Sequence, residues 1–442
     1  MGSLSKAWSR ETPTNFDSRL QVVYQKSELL KPNANNARTH SKRQIRQIAD
    51  SIKAFGFTNP ILVDETHTII AGHGRVWAAK LLGITEVPTI RLENLTEEQI
   101  RAYVIADNKL AENAGWDKSI LAIELQHLLT LDCADFDVTV TGFEIPEIDL
   151  LLSAADDLPD ADDLFEVVGG SEPVTQPGDL WKLGKHRILC GNAMEEISYS
   201  RLLGAKRAGV VFIDPPYNLA IDGNVSGNGA IRHREFQMAS GEMSEGEFTS
   251  FLASSLKLLA SHSHTGSVHF VCMDWRHTGE LITAGKQVYD SLLNVCVWVK
   301  NTGGMGSLYR SQHELVFVFR SGKEKHHNNV QLGRYGRNRT NVWEYPSINS
   351  LSKSGDEGNL LALHPTVKPV RLIADALLDC SARADLVLDA FLGSGSTLIA
   401  AERTGRICCG IELDPLYVDT AIRRWQRHTG DHAIHAVRGE TV

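Results

Sequence analysis

The tetrad Asp214-Pro215-Pro216-Tyr217 follows an apolar run, Val210-Val211-Phe212-Ile213, that reads as a buried strand. Prolines lack an N–H, so a turn built on two of them presents carbonyl acceptors without competing donors. A carboxylate and a carbonyl at such a turn can accept both hydrogens of an aromatic amine. That makes the amine a better nucleophile, because its lone pair is otherwise delocalised into the ring. Asp214 and the Pro215 carbonyl are the two acceptors, and Tyr217 offers a ring face. Stacking on such a face contributes roughly 1–3 kcal/mol per base. That offsets much of the cost of about a few kcal/mol of extruding a base from a duplex.

A second apolar run, Leu386-Val387-Leu388-Asp389-Ala390, ends in Phe391-Leu392-Gly393-Ser394-Gly395-Ser396-Thr397. Gly393 and Gly395 let the backbone approach a ligand and turn into a helix through Leu398–Glu402, and the next strand ends at Glu412. An acid there, about 20 residues on, suits paired hydrogen bonds to ribose hydroxyls. The pattern fits NAD as well as S-adenosylmethionine. The third glycine of a dinucleotide turn is replaced by Leu398, and hydride transfer would leave the Pro-Pro turn without a purpose. Methyl transfer from a sulfonium needs neither a metal nor a covalent enzyme intermediate, so orientation and desolvation would supply most of the rate.

The elements that must position these residues alternate. Strands over 210–213, 267–272, 294–299, 315–319, 386–390 and 406–411 are separated by helical stretches. That order predicts an α/β domain from about 180 to 442, a doubly wound, mostly parallel sheet of Rossmann type with ligands beyond the strand carboxyl ends. Residues 21–113 read as a smaller α+β domain. Ile45, Ile48, Ala49, Ile52 and Phe55 recur at helical spacing before Gly56, and Thr96-Glu97-Glu98-Gln99 is a capping box. Residues 1–20 read as a frayed tail and 114–152 as a helical extension. Residues 153–179, rich in acids, Pro and Gly, read as a linker.

The chain has 442 residues, 42% hydrophobic and 22% charged, with ordinary globular composition. No apolar run approaches the roughly 20 residues of a membrane span, and the N-terminus lacks an apolar signal core, so the expected location is the cytoplasm. Seven cysteines, most in apolar runs and none in a Cys-x-x-Cys pair, read as buried thiols, and no metal site is expected. The net charge of −9 is uneven: residues 153–179 carry eight acids and no base, and residues 300–345 carry eight Lys/Arg against three Glu. The second segment is a basic surface suited to phosphates, with Lys300, Arg310, Arg334, Arg337 and Arg339 as candidate DNA contacts.

From about 178 to 428 the chain resembles the amino-methylating DNA methyltransferases of the permuted subgroup, in which the catalytic motif precedes the cofactor motif. The matching segments run from Gly178 to Arg187, with Cys190-Gly191-Asn192, then Asp214 to Tyr217. Trp298-Val299-Lys300-Asn301, His313-Glu314, His364 to Pro369, Phe391 to Gly395, and Glu412 follow in the family's order. The resemblance implies a site-specific enzyme, bacterial or phage-encoded, that methylates an exocyclic amine in double-stranded DNA after flipping the base. It implies that Asp214 to Tyr217 bind that base, that Asn192, Asp389, Phe391, Gly393, Ser394 and Gly395 surround S-adenosylmethionine, and that Glu412 holds its ribose. His364, Thr366 and Lys368 would lie near its methionine end, and residues 321–363 occupy the place of the target-recognition segment. Asp at the first catalytic position is the family's usual form for adenine, with the cytosine amine as the alternative.

Residues 21–113 resemble the ParB/sulfiredoxin-like N-terminal module, on Asn36-Ala37-Arg38, Gly56-Phe57, Pro60-Ile61 and Ala71-Gly72-His73-Gly74-Arg75. In that family the Gly-rich turn touches nucleotide phosphates at a helix N-terminus. Gly72, His73, Gly74 and Arg75 are therefore either a phosphate site for CTP or ATP or a purely structural turn. His73 stands where sulfiredoxin chemistry needs a cysteine. A nucleotide-regulated DNA-binding protein is the further reading this module raises; a homodimer is the partner expectation for the chain as a whole.

Overall fold

The computed structural model describes all residues except 1–19, 94, 131–136, 154–172, 219–240, 302, 304–307, 334–337, 347–366, 440 and 442. The chain divides into two compact units, Met1–Glu144 and Ile145–Val442.

In the first unit, β1 (Val22–Lys26), β2 (Ile61–Val63), β3 (Ile69–Ala71) and β4 (Glu86–Arg91) form one sheet in the order β1-β4-β2-β3. Its helices are α1 (Lys42–Phe55), α2 (His73–Leu81), α3 (Glu97–Asn113) and α4 (Lys118–Thr130). Helix α1 starts where the Ser41 side chain accepts from the Gln44 N–H, and it stops at Gly56 with φ 78°. Helix α3 carries the expected reciprocal capping box between Thr96 and Gln99. Leu30, Ile61, Val63, Ile69, Val76, Ala79 and Val87 make the core.

The second unit opens with α5 (Ile145–Ser153) and resumes with the antiparallel pair β5 (Leu180–Leu183) and β6 (His186–Cys190). Then come α6 (Glu196–Leu203), β7 (Ala208–Ile213), α7 (Glu245–Ser261), β8 (Ser263–Met273) and α8 (Thr278–Val288). Strands β9 (Ser291–Val299), β10 (His313–Ser321) and β11 (Val342–Glu344) precede α9 (Val370–Cys380) and β12 (Leu386–Asp389). The last elements are α10 (Ser396–Thr404), β13 (Ile407–Glu412), α11 (Pro415–Thr429) and β14 (Ile434–His435). All ten strands form one sheet in the order β11-β9-β10-β8-β7-β12-β13-β6-β5-β14.

The five central strands, β8-β7-β12-β13-β6, are parallel. Antiparallel strands extend both sides, with β10 between β8 and β9, and β5 between β6 and β14. The sheet is therefore more mixed than an alternating helix–strand pattern suggests, because β10 pairs antiparallel with β9 before it and β6 with β5 before it. Side chains alternate across β7: Val210 and Phe212 enter the core under α9, α10 and α11, whereas Val211 and Ile213 enter the core under α6, α7 and α8. Burial on both faces explains why β7 and β12 read as unbroken apolar runs.

Helix α5 belongs to this unit through charge. Asp149 is paired with Arg406 and Arg383 at 2.9 Å each. The far end of the acidic segment is also held: the Val174 N–H, the Thr175 N–H and the Thr175 hydroxyl donate to Asp419 at 2.7, 3.1 and 2.5 Å.

Candidate active site

Strands β7 and β12 are neighbours, with Val210 opposite Val387 and Val211 opposite Leu388. Their carboxyl ends release Asp214 and the 390–395 turn side by side. This is the topology that sets a crevice beyond the strand ends of a doubly wound sheet.

On the cofactor side, Asp389 is buried and its Oδ1 accepts the Phe391 N–H at 2.9 Å, which bends the chain away from the strand. Gly393 (φ 54°) and Gly395 (φ 87°) carry the turn through left-handed backbone into α10. A Cβ on Gly395 would lie 2.8 Å from the Ala421 Cβ, whereas a Cβ on Gly393 would meet nothing within 4 Å. Gly395 thus packs against α11, and Gly393 faces open space that a ligand can fill. Glu412, at the end of β13, accepts the Gly393 N–H at 2.8 Å and the Asp414 N–H at 2.9 Å. Burial pushes both Asp389 and Glu412 up to about 7. Asn192 stands beside Glu412, because the Gly191 N–H donates to the Glu412 carbonyl at 2.9 Å. Asn192 Oδ1 accepts the Met194 N–H at 2.9 Å. Ser394 is buried and tied to Arg424, whose Nη1 lies 3.3 Å from the Ser394 carbonyl and 3.1 Å from Ser396 Oγ.

On the catalytic side, Asp214 Oδ1 accepts from the Tyr217 hydroxyl at 2.6 Å, and Oδ2 accepts from Lys368 Nζ at 2.6 Å. Lys368 is buried and also contacts Glu314 Oε2 at 2.9 Å. Glu314 takes a second ammonium, from Lys300. The Tyr217 ring is partly buried in the core, with Lys368 Nζ 5.5 Å from its centroid. Burial alone would raise Glu314, but Lys368 and Lys300 outweigh it and hold the carboxyl down at about 2. Burial raises Asp214 above the ordinary carboxylate range, with Lys368 opposing and Glu314 adding to the rise. Lys368 is held above its ordinary value by the two carboxylates, which overcome its desolvation.

The structure therefore brings Asp214, Pro215, Pro216, Tyr217, Lys368, Asp389, Phe391, Gly393, Ser394, Gly395, Glu412 and Asn192 to the same end of the sheet. It places the Lys368 ammonium on the Asp214 carboxylate, whereas the resemblance set Lys368 near the methionine end of the cofactor. His364, Thr366, Arg334 and Arg337 lie outside the described residues. Two candidate DNA contacts have other partners. Arg339 reaches Asp379 at 3.1 Å and the Tyr345 hydroxyl at 2.9 Å, and it stacks over Trp343. Lys300 is engaged with Glu314 and lies 4.8 Å from the Trp298 ring centroid. Arg310 donates to the Gly303 carbonyl at 2.6 Å from an exposed loop. Arg424 escaped sequence reasoning, and Glu314 entered it only as part of a family segment with no role assigned.

In the first unit, Gly72 (φ 103°) caps α2, and His73 is buried with its Nε2 accepting the Asn33 N–H at 3.1 Å. Arg75 donates to the Pro60 carbonyl at 2.9 Å. A cavity there is lined by Asn36, Arg38, His40, Gly72, Arg75 and Asp107.

An acid–Pro–Pro–aromatic turn beside a glycine turn with a strand-end acid, on a doubly wound sheet, defines a methyltransferase-type site. Residues 209–423 match the family model described as DNA methylase, residues 12–108 the ParB N-terminal domain, and residues 119–177 the ParB-methyltransferase HTH domain. The chain carries an N6/N4 DNA methylase domain, with a ParB N-terminal domain ahead of it. It is 54% identical over 84 residues to the ParB-like nuclease domain-containing protein YnaK of Escherichia coli (strain K12), covering 19% of this chain and 97% of that one. It is 33% identical over 101 residues to the type II methyltransferase M.ScaI of Streptomyces caespitosus, covering 23% of this chain and 33% of the relative. To the type II methyltransferase M2.MboI of Moraxella bovis it is 25% identical over 237 residues, covering 50% of this chain and 81% of the relative. No helix among the described residues is long and apolar enough to cross a membrane.

Proposed function

We propose that this DNA methyltransferase transfers a methyl group from S-adenosylmethionine to the exocyclic amine of adenine in double-stranded DNA, after the base is turned out of the duplex. The observation that carries the reading is the register of β7 against β12, which sets Asp214 beside the Gly393 turn. The residues fit the cofactor: Gly393 fronts open space, and Glu412 stands at the next strand end with acceptor capacity beyond its two backbone bonds. When bound, S-adenosylmethionine supplies an electrophilic methyl on a sulfonium. Glu412 would accept its ribose hydroxyls, and Asn192 and Phe391 would line the same pocket. Asp214 and the Pro215 carbonyl accept the amine hydrogens, orient the lone pair and help to exclude water. Asp at position 214 supports adenine over cytosine, since that is the family's usual adenine form.

Incubation with labelled cofactor and duplex DNA, beside Asp214→Ala, tests this reading. Wild type should label the DNA and the variant should lose at least about 100-fold in rate. Nucleoside analysis should return the methylated adenine; methylated cytosine would move the substrate to the alternative base.

The cavity at Gly72–Arg75 supports a second reading for the N-terminal unit, a phosphate site for CTP or ATP at the start of α2. Titration of the full chain with each nucleotide, beside Arg75→Ala, checks it; absence of binding leaves the turn structural.

A further inference from the structure

Two carboxylates and two ammonium groups meet at the carboxyl ends of β7 and β9 and the amino end of β10, and only Asp214 has a role in the chemistry so far. Lys368 Nζ is shared between Asp214 Oδ2 at 2.6 Å and Glu314 Oε2 at 2.9 Å, with its side chain 3% exposed. The other Glu314 oxygen holds Lys300. The Tyr217 hydroxyl is shared in the same way, 2.6 Å from Asp214 and 3.2 Å from Glu314. Glu314 is fixed in place because β9 and β10 pair with Trp298 opposite Glu314.

An ammonium bound only to Asp214 would neutralise the carboxylate and make it a poor acceptor for a weakly acidic amine hydrogen. A second carboxylate on the same ammonium divides that pull. We propose that Glu314 is a positioning residue for amine methylation: by sharing the Lys368 ammonium and the Tyr217 hydroxyl with Asp214, it keeps the Asp214 carboxylate basic and aimed at the target amine. Lys300 sets how strongly Glu314 competes, since it draws on the same carboxylate. The inference rests on the amine-methylation reading for its purpose, but the charge sharing itself is a property of the empty site. The other titratable groups facing Asp214 and Lys368 are Cys272 on β8 and Asp389 on β12.

The direct test is titration of the carboxyl carbons in cofactor-free protein, with the Asp214 signal identified by its loss in Asp214→Asn. In Glu314→Gln the Asp214 midpoint should fall by about one pH unit, because Lys368 is then left to Asp214 alone. Lys300→Met should shift it the opposite way, because Glu314 then competes harder. In the methylation assay, Glu314→Gln should lose about tenfold or more in kcat with its acid limb moved down and cofactor affinity unchanged, and Glu314→Asp should recover part of the rate. An Asp214 midpoint that stays put or rises in a folded Glu314→Gln protein overturns the proposal. So does an unshifted or lowered midpoint in Lys300→Met, which preserves the test if Glu314→Gln does not fold. Opposite shifts in a protein that never methylates DNA would keep the charge sharing and remove the methylation reading.

Discussion

Asp149 and Arg406, 257 positions apart, share an ion pair at 2.9 Å between side chains that are 3% and 0% exposed. The pair fastens the helix Ile145–Ser153 to the methylase unit by its least hydrated charge. Arg406 also donates to the Ser381 and Thr404 carbonyls, so its guanidinium is spent on fixed partners.

Removal of one partner strands the other. Asp149→Ala should destabilise the second unit by about 3–5 kcal/mol. Denaturant unfolding of the full chain measures this, and the double variant Asp149→Leu/Arg406→Met should recover much of the loss.

Gly395 is constrained twice, by φ 87° and by the approach of Ala421. Gly395→Val should cost about 2 kcal/mol or more and push α11 away from the turn. Gly393→Ala has room for its methyl and pays only the left-handed backbone, so its unfolding temperature should fall less. Its cofactor affinity should fall more, because the methyl would occupy the ligand space. Thermal unfolding and cofactor titration of both variants separate the two effects.

On the proposed function, Glu412 is expected to carry much of the pH dependence of cofactor binding. Burial raises its carboxyl from 4.5 to about 7. With the folded value above the unfolded one, the folded protein holds the proton between the two, so this group's contribution to stability falls as pH rises through that window. The cofactor's hydroxyls need the ionised form. Affinity should therefore be greatest above pH 7 and weaken about tenfold per unit below it. Calorimetry across that range checks the slope, and Glu412→Gln should bind more weakly with a flatter profile.

Arg339 belongs to a buried cluster with Asp379, Tyr345 and Trp343. Arg339→Ala should lower the unfolding temperature, and the salt dependence of DNA affinity should change little. Arg310→Ala should reduce the salt slope by about one phosphate contact. Binding isotherms at several salt concentrations distinguish them.

The residues that announced themselves in the sequence were those with local grammar. Asp214 and Asp389 end apolar runs, the glycines mark a strand–helix turn, and Thr96 with Gln99 is a cap that needs no tertiary partner. Contacts that depend on distant partners left no such mark. Asp419 holds Thr175, Arg424 holds Ser394 and Glu314 holds Lys368, each across a separation with no periodicity. Arg339 looked like a phosphate ligand because a basic segment shows charge in sequence but not which of its members are already neutralised in the fold. The Tyr217 hydroxyl is turned to Asp214 and Glu314, a direction that only packing decides.

The pairing of Val210 with Val387 has a consequence for how the enzyme comes into being. During synthesis β7 can meet β8 early, but its other edge stays bare until the ribosome has added nearly all of the remaining chain. Such a late, long-range closure is slow and leaves a sticky strand edge exposed meanwhile. A product that stops before β12 would hold the Asp214 turn without the Gly393 turn beside it, so on the proposed function it would lack a methyl donor.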